Sequence, residues 1–133
     1  MLELLAPAGN LDAVIAAVQN GADAVYMGFG DGFNARRSAD NFTRESFAKA
    51  VRYCHIRGCK VYVTLNTLVG DREMEAAAAL AQQASDAGAD AILVQDLGLA
   101  RVLRDALPDI PLHASTQMSI HNLEGARLCE ELG

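Results

Sequence analysis

Asn20-Gly21-Ala22-Asp23-Ala24-Val25-Tyr26 recurs as Ala87-Gly88-Ala89-Asp90-Ala91-Ile92-Leu93, with a weaker echo at Arg57-Gly58-Cys59-Lys60-Val61-Tyr62. In each copy a glycine ends a helix in left-handed geometry and the chain turns into a strand. Working outward from these turns, strands are expected at Leu2–Ala6, Ala24–Gly28, Lys60–Asn66, Ala91–Gln95 and Leu112–Ser115. A helical pattern follows each one. The first has an Asn10 cap and a face of Leu11, Val14, Ile15 and Val18. The second starts at Thr43 and carries Phe47, Ala50, Val51 and Cys54. Asp71 is expected to open an alanine-rich third helix, Asp96 to cap a fourth that Pro108 closes, and the last to run from Asn122 to Leu132. Five βα units imply a parallel sheet. Glu131-Leu132-Gly133 repeats the helix-ending glycine, so the pattern calls for a sixth strand and the sequence reads as a truncated array.

The chain has 133 residues, about half of the ~250 that a (β/α)₈ barrel needs. Hydrophobic residues make up 51% and charged residues 21%, which excludes disorder. No apolar run approaches the ~18 residues of a membrane span, and the segment from Leu2 lacks the basic start of a secretory signal. A cytoplasmic location is therefore expected. The net charge of −6 argues against a phosphate-backbone clamp within this stretch. Three cysteines, an odd number, fit a reducing compartment. Cys54 and Cys59, with His55 as the one adjacent histidine and no second cysteine pair, read as packing or surface thiols; no metal ligands are assigned.

Two α/β architectures accommodate five βα units: the first five units of a TIM-like (β/α)₈ barrel, or a five-stranded flavodoxin-like doubly wound sheet. The doubly wound sheet has helices on both faces, so its central strands are apolar on both. A barrel strand is apolar outward, under the helices, while its inner face turns polar toward the mouth. One face here reads Leu2, Leu4; Val25, Met27; Val61, Val63, Leu65; Ile92, Val94; Leu112, Ala114. The other reads Glu3, Leu5; Tyr26, Gly28; Tyr62, Thr64, Asn66; Leu93, Gln95; His113, Ser115, Gln117, and grows polar toward the C-terminal ends. That alternation favours the barrel.

In either architecture a ligand belongs at the carboxyl ends of the strands. Amides and hydroxyls dominate there, with Arg36 and Arg37 as cations, which suits a polar planar molecule held by paired hydrogen bonds. No nucleophile–base set stands out, and the catalytic residues stay unassigned. His113 and Ser115 point into the lumen at different depths, and a dyad would need a third orienting group. Gly28-Phe29-Gly30-Asp31-Gly32 lacks the spacing of a phosphate or dinucleotide loop and reads as a flexible loop. Asn34-Ala35-Arg36 can fold an arginine over the barrel mouth, with an exposed arginine as the plainer alternative.

Several of these segments together resemble the amino terminus of the U32 peptidase family. They are Glu3-Leu4-Leu5-Ala6-Pro7-Ala8-Gly9-Asn10, Asn20 through Gly28, Asn34-Ala35-Arg36 with Asn41-Phe42-Thr43, Val61 through Thr67, Gln95-Asp96-Leu97-Gly98 and His113 through Asn122. The likeness spans nearly the whole chain. It implies a single domain over residues 1–133, the N-terminal part of a TIM-like barrel. The family was named for collagenase-like proteases. Several members are implicated in oxygen-independent or prephenate-dependent hydroxylation of ribosomal RNA, transfer RNA or ubiquinone precursors with an iron–sulfur cluster. The cluster cysteines of the family lie after the fifth strand, and Cys54, Cys59 and Cys129 do not match them, so no cofactor is assigned to this chain. The resemblance nominates Asn34, Arg36, Asn66, Gln95, Ser115 and Gln117 as substrate contacts.

Three functional readings follow. The first is the amino-terminal part of an enzyme that hydroxylates RNA or a quinone precursor. The second is a collagenase-like metal-dependent protease. The third is a non-catalytic half-barrel that pairs with another polypeptide or with a second copy to close its unpaired strand edges.

Overall fold

The computed structural model describes residues 2–35 and 41–133. Its elements alternate as β1 (Leu5–Pro7), α1 (Leu11–Gln19), β2 (Ala24–Met27), α2 (Arg44–His55), β3 (Lys60–Leu65), α3 (Met74–Asp86), β4 (Ala91–Val94), α4 (Leu97–Ala106), β5 (Leu112–Ala114), a 3₁₀ turn (Thr116–Met118) and α5 (Leu123–Leu132).

The repeated turns have a common mechanism. Gly21 and Gly88 take φ of 89° and 99°, a region closed to most side chains, and let the chain reverse after the helix. The aspartate two residues on then grips the preceding strand twice. The Asp23 N–H donates to Leu4 O (2.9 Å) while its carboxylate accepts the Leu4 N–H (2.7 Å). Asp90 does the same to Val61, 2.7 Å in each direction. Each strand is thus registered against its neighbour before its own first residue. The weaker echo has Lys60 at that position. Its N–H donates to Asp23 O (2.9 Å), and its side chain reaches Glu3.

All four strand pairings are parallel, and the order is β1-β2-β3-β4-β5. A flavodoxin-like sheet would run 2-1-3-4-5, so the doubly wound alternative is excluded. Neighbours in sequence are neighbours in the sheet, as in a barrel arc. The core has the matching asymmetry. Val25, Met27, Val61, Val63, Leu65, Ile92 and Val94 meet Val14, Phe47, Ala50, Cys54, Ala77, Ala81, Leu99 and Leu103 from the helices in one buried cluster. The opposite face holds a separate small cluster of Ala24, Tyr62 and Ala91, flanked by Tyr26 and Leu93, which lines the lumen.

Side-chain caps fix where most helices begin. Asn10, Thr43, Asp96 and Asn122 each accept the backbone N–H three residues on; Asn10 and Asp96 are the caps read from the sequence, and Thr43 and Asn122 stand where it placed the helix starts. Two expectations need correction. The third helix begins at Met74 with Glu73 at its cap position, not at Asp71: Gly70–Glu73 forms a turn in which Glu73 N–H donates to Gly70 O (2.8 Å) and its carboxylate accepts the Gly70 N–H (3.0 Å). Leu2 and Leu4 do not join the apolar face. β1 starts only at Leu5, and these leucines precede it at 98% and 57% exposure.

Candidate functional site

The carboxyl ends of the strands gather the polar residues that the alternation placed there. Asn66, just past β3, holds two loops. Its Oδ1 accepts the Ala35 N–H (3.1 Å), and its Nδ2 donates to Ser115 Oγ (3.4 Å). Ser115 is buried, and its Oγ also accepts the Gln117 N–H (3.5 Å) at the entrance to the 3₁₀ turn. The loop after β2, the end of β3 and the turn after β5 therefore share one hydrogen-bonded chain, in which neutral groups alternate as donor and acceptor.

Asn34 lies at the same end and donates through Nδ2 to Asn41 Oδ1 (3.0 Å). This pair sits over Gly28 so closely that a Cβ there would stand 2.0 Å from Asn41 Oδ1 and 2.4 Å from Asn34 Nδ2. Gly28 is needed for that close approach and not for its backbone angle. A parallel bridge from Phe29 to Phe42 closes the loop beneath, and the Phe29 ring packs on Phe47 at 4.7 Å. Of the nominated residues, Asn34, Asn66, Ser115 and Gln117 come together. Gln95 follows β4 at the same end of the sheet and is half-buried. Arg36, with Arg37, lies outside the described residues. Asp96 does more than cap α4: besides Leu99 N–H (2.8 Å) it accepts the Val69 N–H (3.3 Å), tying down the loop after β3.

The loops after β2 and β3 enclose an open cleft of about 480 Å³ lined by Phe33, Asn34, Asn41, Thr67 and Leu68, with Asp31 and Glu73 at its acidic side. The sequence placed Phe33, Asn41 and Thr67 in the strand-end segments without nominating them as contacts. The available signal was the pair of asparagines bracketing a glycine-bounded loop.

Deeper in the lumen the groups are titratable. Tyr62 Oη donates to Glu3 Oε1 (2.7 Å), Lys60 Nζ lies 3.4 Å from Glu3 Oε2, and His113 meets the Tyr62 ring edge-on at 4.8 Å. Burial is the main force raising the Tyr62 pKa, with Glu3 adding to it, so the phenol stays protonated. Burial lowers the His113 pKa and favours the neutral ring. Ser115 Oγ is engaged by Asn66 and Gln117, and no bond joins it to His113. Among the described residues no histidine, cysteine, aspartate and glutamate side chains form a metal-binding group of three or more. Cys54 and Cys59 are buried at the far end of α2 and the start of β3, away from the mouth, and burial pushes the Cys54 thiol up to about 12. Cys129 stands apart on α5. These three cysteines do not fit an iron–sulfur cluster.

No helix among the described residues is long and apolar enough to cross a membrane. Comparison with known proteins gives relatives of two kinds. The chain is 42% identical over 132 residues to the 23S rRNA 5-hydroxycytidine C2501 synthase of Escherichia coli, covering 99% of this chain and 19% of that protein. It is 37% identical over 131 residues to the tRNA hydroxylation protein P1 of Bacillus subtilis, covering 98% and 31%. It is also 35% identical over 126 residues to a collagenase of Porphyromonas gingivalis, covering 94% and 30%. The chain thus spans between 19% and 31% of the length of these relatives. Its fold matches the U32 peptidase Mk0906 with a TM-score of 0.79 at 19% identity, over all of this chain and 56% of that one. Residues 9–133 match the sequence pattern of peptidase family U32, and the chain belongs to that family.

Proposed function

We propose that this chain is the N-terminal part of a TIM-like barrel in an RNA-hydroxylating enzyme, and that its strand ends form part of the substrate-binding mouth. The observation that carries the reading is the 42% identity, across almost the whole chain, to a protein named for making 5-hydroxycytidine in ribosomal RNA. The site supports it. Asn34, Asn66, Gln95, Ser115 and Gln117 present neutral donors and acceptors suited to a planar polar base, with Arg36 as the cation for a phosphate.

The iron–sulfur cluster of this reading is held by cysteines outside the sequence described, since Cys54, Cys59 and Cys129 do not fit one. It would supply the redox chemistry, while this stretch binds and orients the base. The open edges of β1 and β5 are closed by further strands of the same protein, or by a partner chain or second copy. A cytoplasmic location follows from an RNA substrate.

The test is deletion of the gene, followed by mass spectrometry of nucleosides from purified ribosomal and transfer RNA. Loss of one hydroxylated pyrimidine, restored by the intact gene, is the expected result. An unchanged nucleoside profile together with lost gelatin cleavage would replace the reading with the collagenase-like one, which the Porphyromonas relative's name favours.

A further inference from the structure

We infer that the cleft between the β2 and β3 loops receives a single unpaired RNA base, stacked on Phe33 and read at its edge by Asn41 and by the carboxylates of Asp31 and Glu73, with cytosine the best match. The inference rests on the RNA reading above and names the part of the substrate that this cleft takes.

The first observation is the backbone of Phe33. It is a non-glycine residue at φ 54°, between Gly32 and Asn34, in a region that aromatic residues avoid. Such strain persists where the surroundings hold a side chain in place for use. Here it sets the ring against the core cluster on one side and against the cleft on the other. The second observation is Leu68, 73% exposed on the wall of the same cleft. A half-buried ring and an open leucine offer flat apolar surface to an aromatic guest. Stacking of this kind is how single-stranded bases are commonly held.

The polar lining then selects the guest. Asn41 commits its carbonyl to Asn34, so its amide N–H groups face an acceptor such as a pyrimidine O2 or N3. Glu73 engages one oxygen with Gly70 N–H, and with Asp31 it makes the cleft acidic. Carboxylates repel a phosphate and accept from an exocyclic amine, which cytosine has and uracil lacks. The roughly 480 Å³ volume lies within the range of small-ligand sites.

The test uses the full-length protein and fluorescein-labelled single-stranded hexamers of cytidine or uridine, read by anisotropy at fixed salt. The cytidine hexamer is expected to bind more tightly. Phe33→Gly, whose backbone suits φ 54° but which gives up the ring's packing on the core cluster, should keep the parent's circular dichroism spectrum yet bind about five- to a hundredfold more weakly. Phe33→Tyr should bind as the parent does, and the double variant Asp31→Asn with Glu73→Gln should erase the cytidine preference. No binding of either hexamer, parent-like binding by Phe33→Gly, or equal affinity for the two hexamers in the parent protein would overturn the inference. The gene-deletion experiment separates the two readings. If deletion removes a hydroxylated nucleoside while Phe33→Gly binds and modifies normally, the cleft assignment fails alone. If deletion changes no nucleoside but the hexamers show the Phe33 dependence, the hydroxylation reading fails and the base site stands.

Discussion

Replacing Asp90 with alanine removes the acceptor from a backbone N–H that has no access to water. Val61 is fully buried, and its amide donates to Asp90 Oδ2 at 2.7 Å. Charge-assisted bonds to backbone contribute ~1.5–3 kcal/mol, and a buried donor left unpaired carries its full desolvation penalty. The same oxygen also accepts from His55 Nε2 (2.8 Å), but that pair is over a third exposed on average and adds little. Asp90→Ala should therefore cost about 2–3 kcal/mol. Asp90→Asn keeps an oxygen in place and should cost ~1 kcal/mol. Asp23→Ala is the internal control. It removes the equivalent bond to Leu4 N–H, also 2.7 Å, but Leu4 is 57% exposed and water can replace the lost acceptor. That variant should cost under ~1 kcal/mol. Hydrogen exchange resolved to single amides, alongside urea melting, is the assay. The Val61 amide should exchange at least about tenfold faster in Asp90→Ala. Equal costs for the two alanine variants, or unchanged Val61 exchange, would refute the argument that burial of the donor sets the size of the effect.

Other predictions concern packing and titration. Gly28→Ala should leave the fold standing, since the atoms in its way are side-chain ends, but should drive Asn34 and Asn41 apart; a melting loss worth about 1 kcal/mol with at least fivefold weaker RNA binding is expected. Native protein treated with iodoacetamide should label at Cys129 before Cys54 or Cys59, which are buried and whose thiols burial keeps protonated; peptide mass spectrometry reads the order. Because burial holds the His113 pKa below that of the unfolded chain, the unfolded state binds more protons in the window beneath ~6.5. Stability should therefore be full above that value and fall as the pH drops toward the folded pKa, and His113→Phe should flatten this part of the profile.

What could be read from the sequence was what depends on neighbours along the chain. The strand-to-helix rhythm, the glycine turns and the capping side chains of Asn10, Thr43, Asp96 and Asn122 are local events, and each stands where its spacing put it. The period-2 pattern also separated barrel from doubly wound sheet, because a helix-covered face and a lumen face differ in polarity at every strand. The misread positions depend on distant partners. Leu2 and Leu4 have the right parity, but parity cannot say where β1 begins to find a neighbour. Asp71 is as good a capping residue as Glu73 until the Gly70 turn chooses between them. At the mouth, Asn34, Asn66 and Ser115 were visible as polar strand ends. Asn41 and Phe33 lie in the same loop, but their place in the cleft was not legible, since one owes its position to the bridge from Phe29 to Phe42 and the other to a backbone angle that composition does not encode.

The sheet order has a bearing on how the protein is made. Within β1–β5 each strand pairs only with its neighbours in sequence, so none of these four pairings waits for a distant segment. A chain emerging from the ribosome can add one βα unit at a time to a growing edge, with Asp23 and Asp90 latching each arrival to the strand already in place. Vectorial synthesis and spatial order then coincide, and the growing sheet exposes two edges, that of β1 and that of its newest strand.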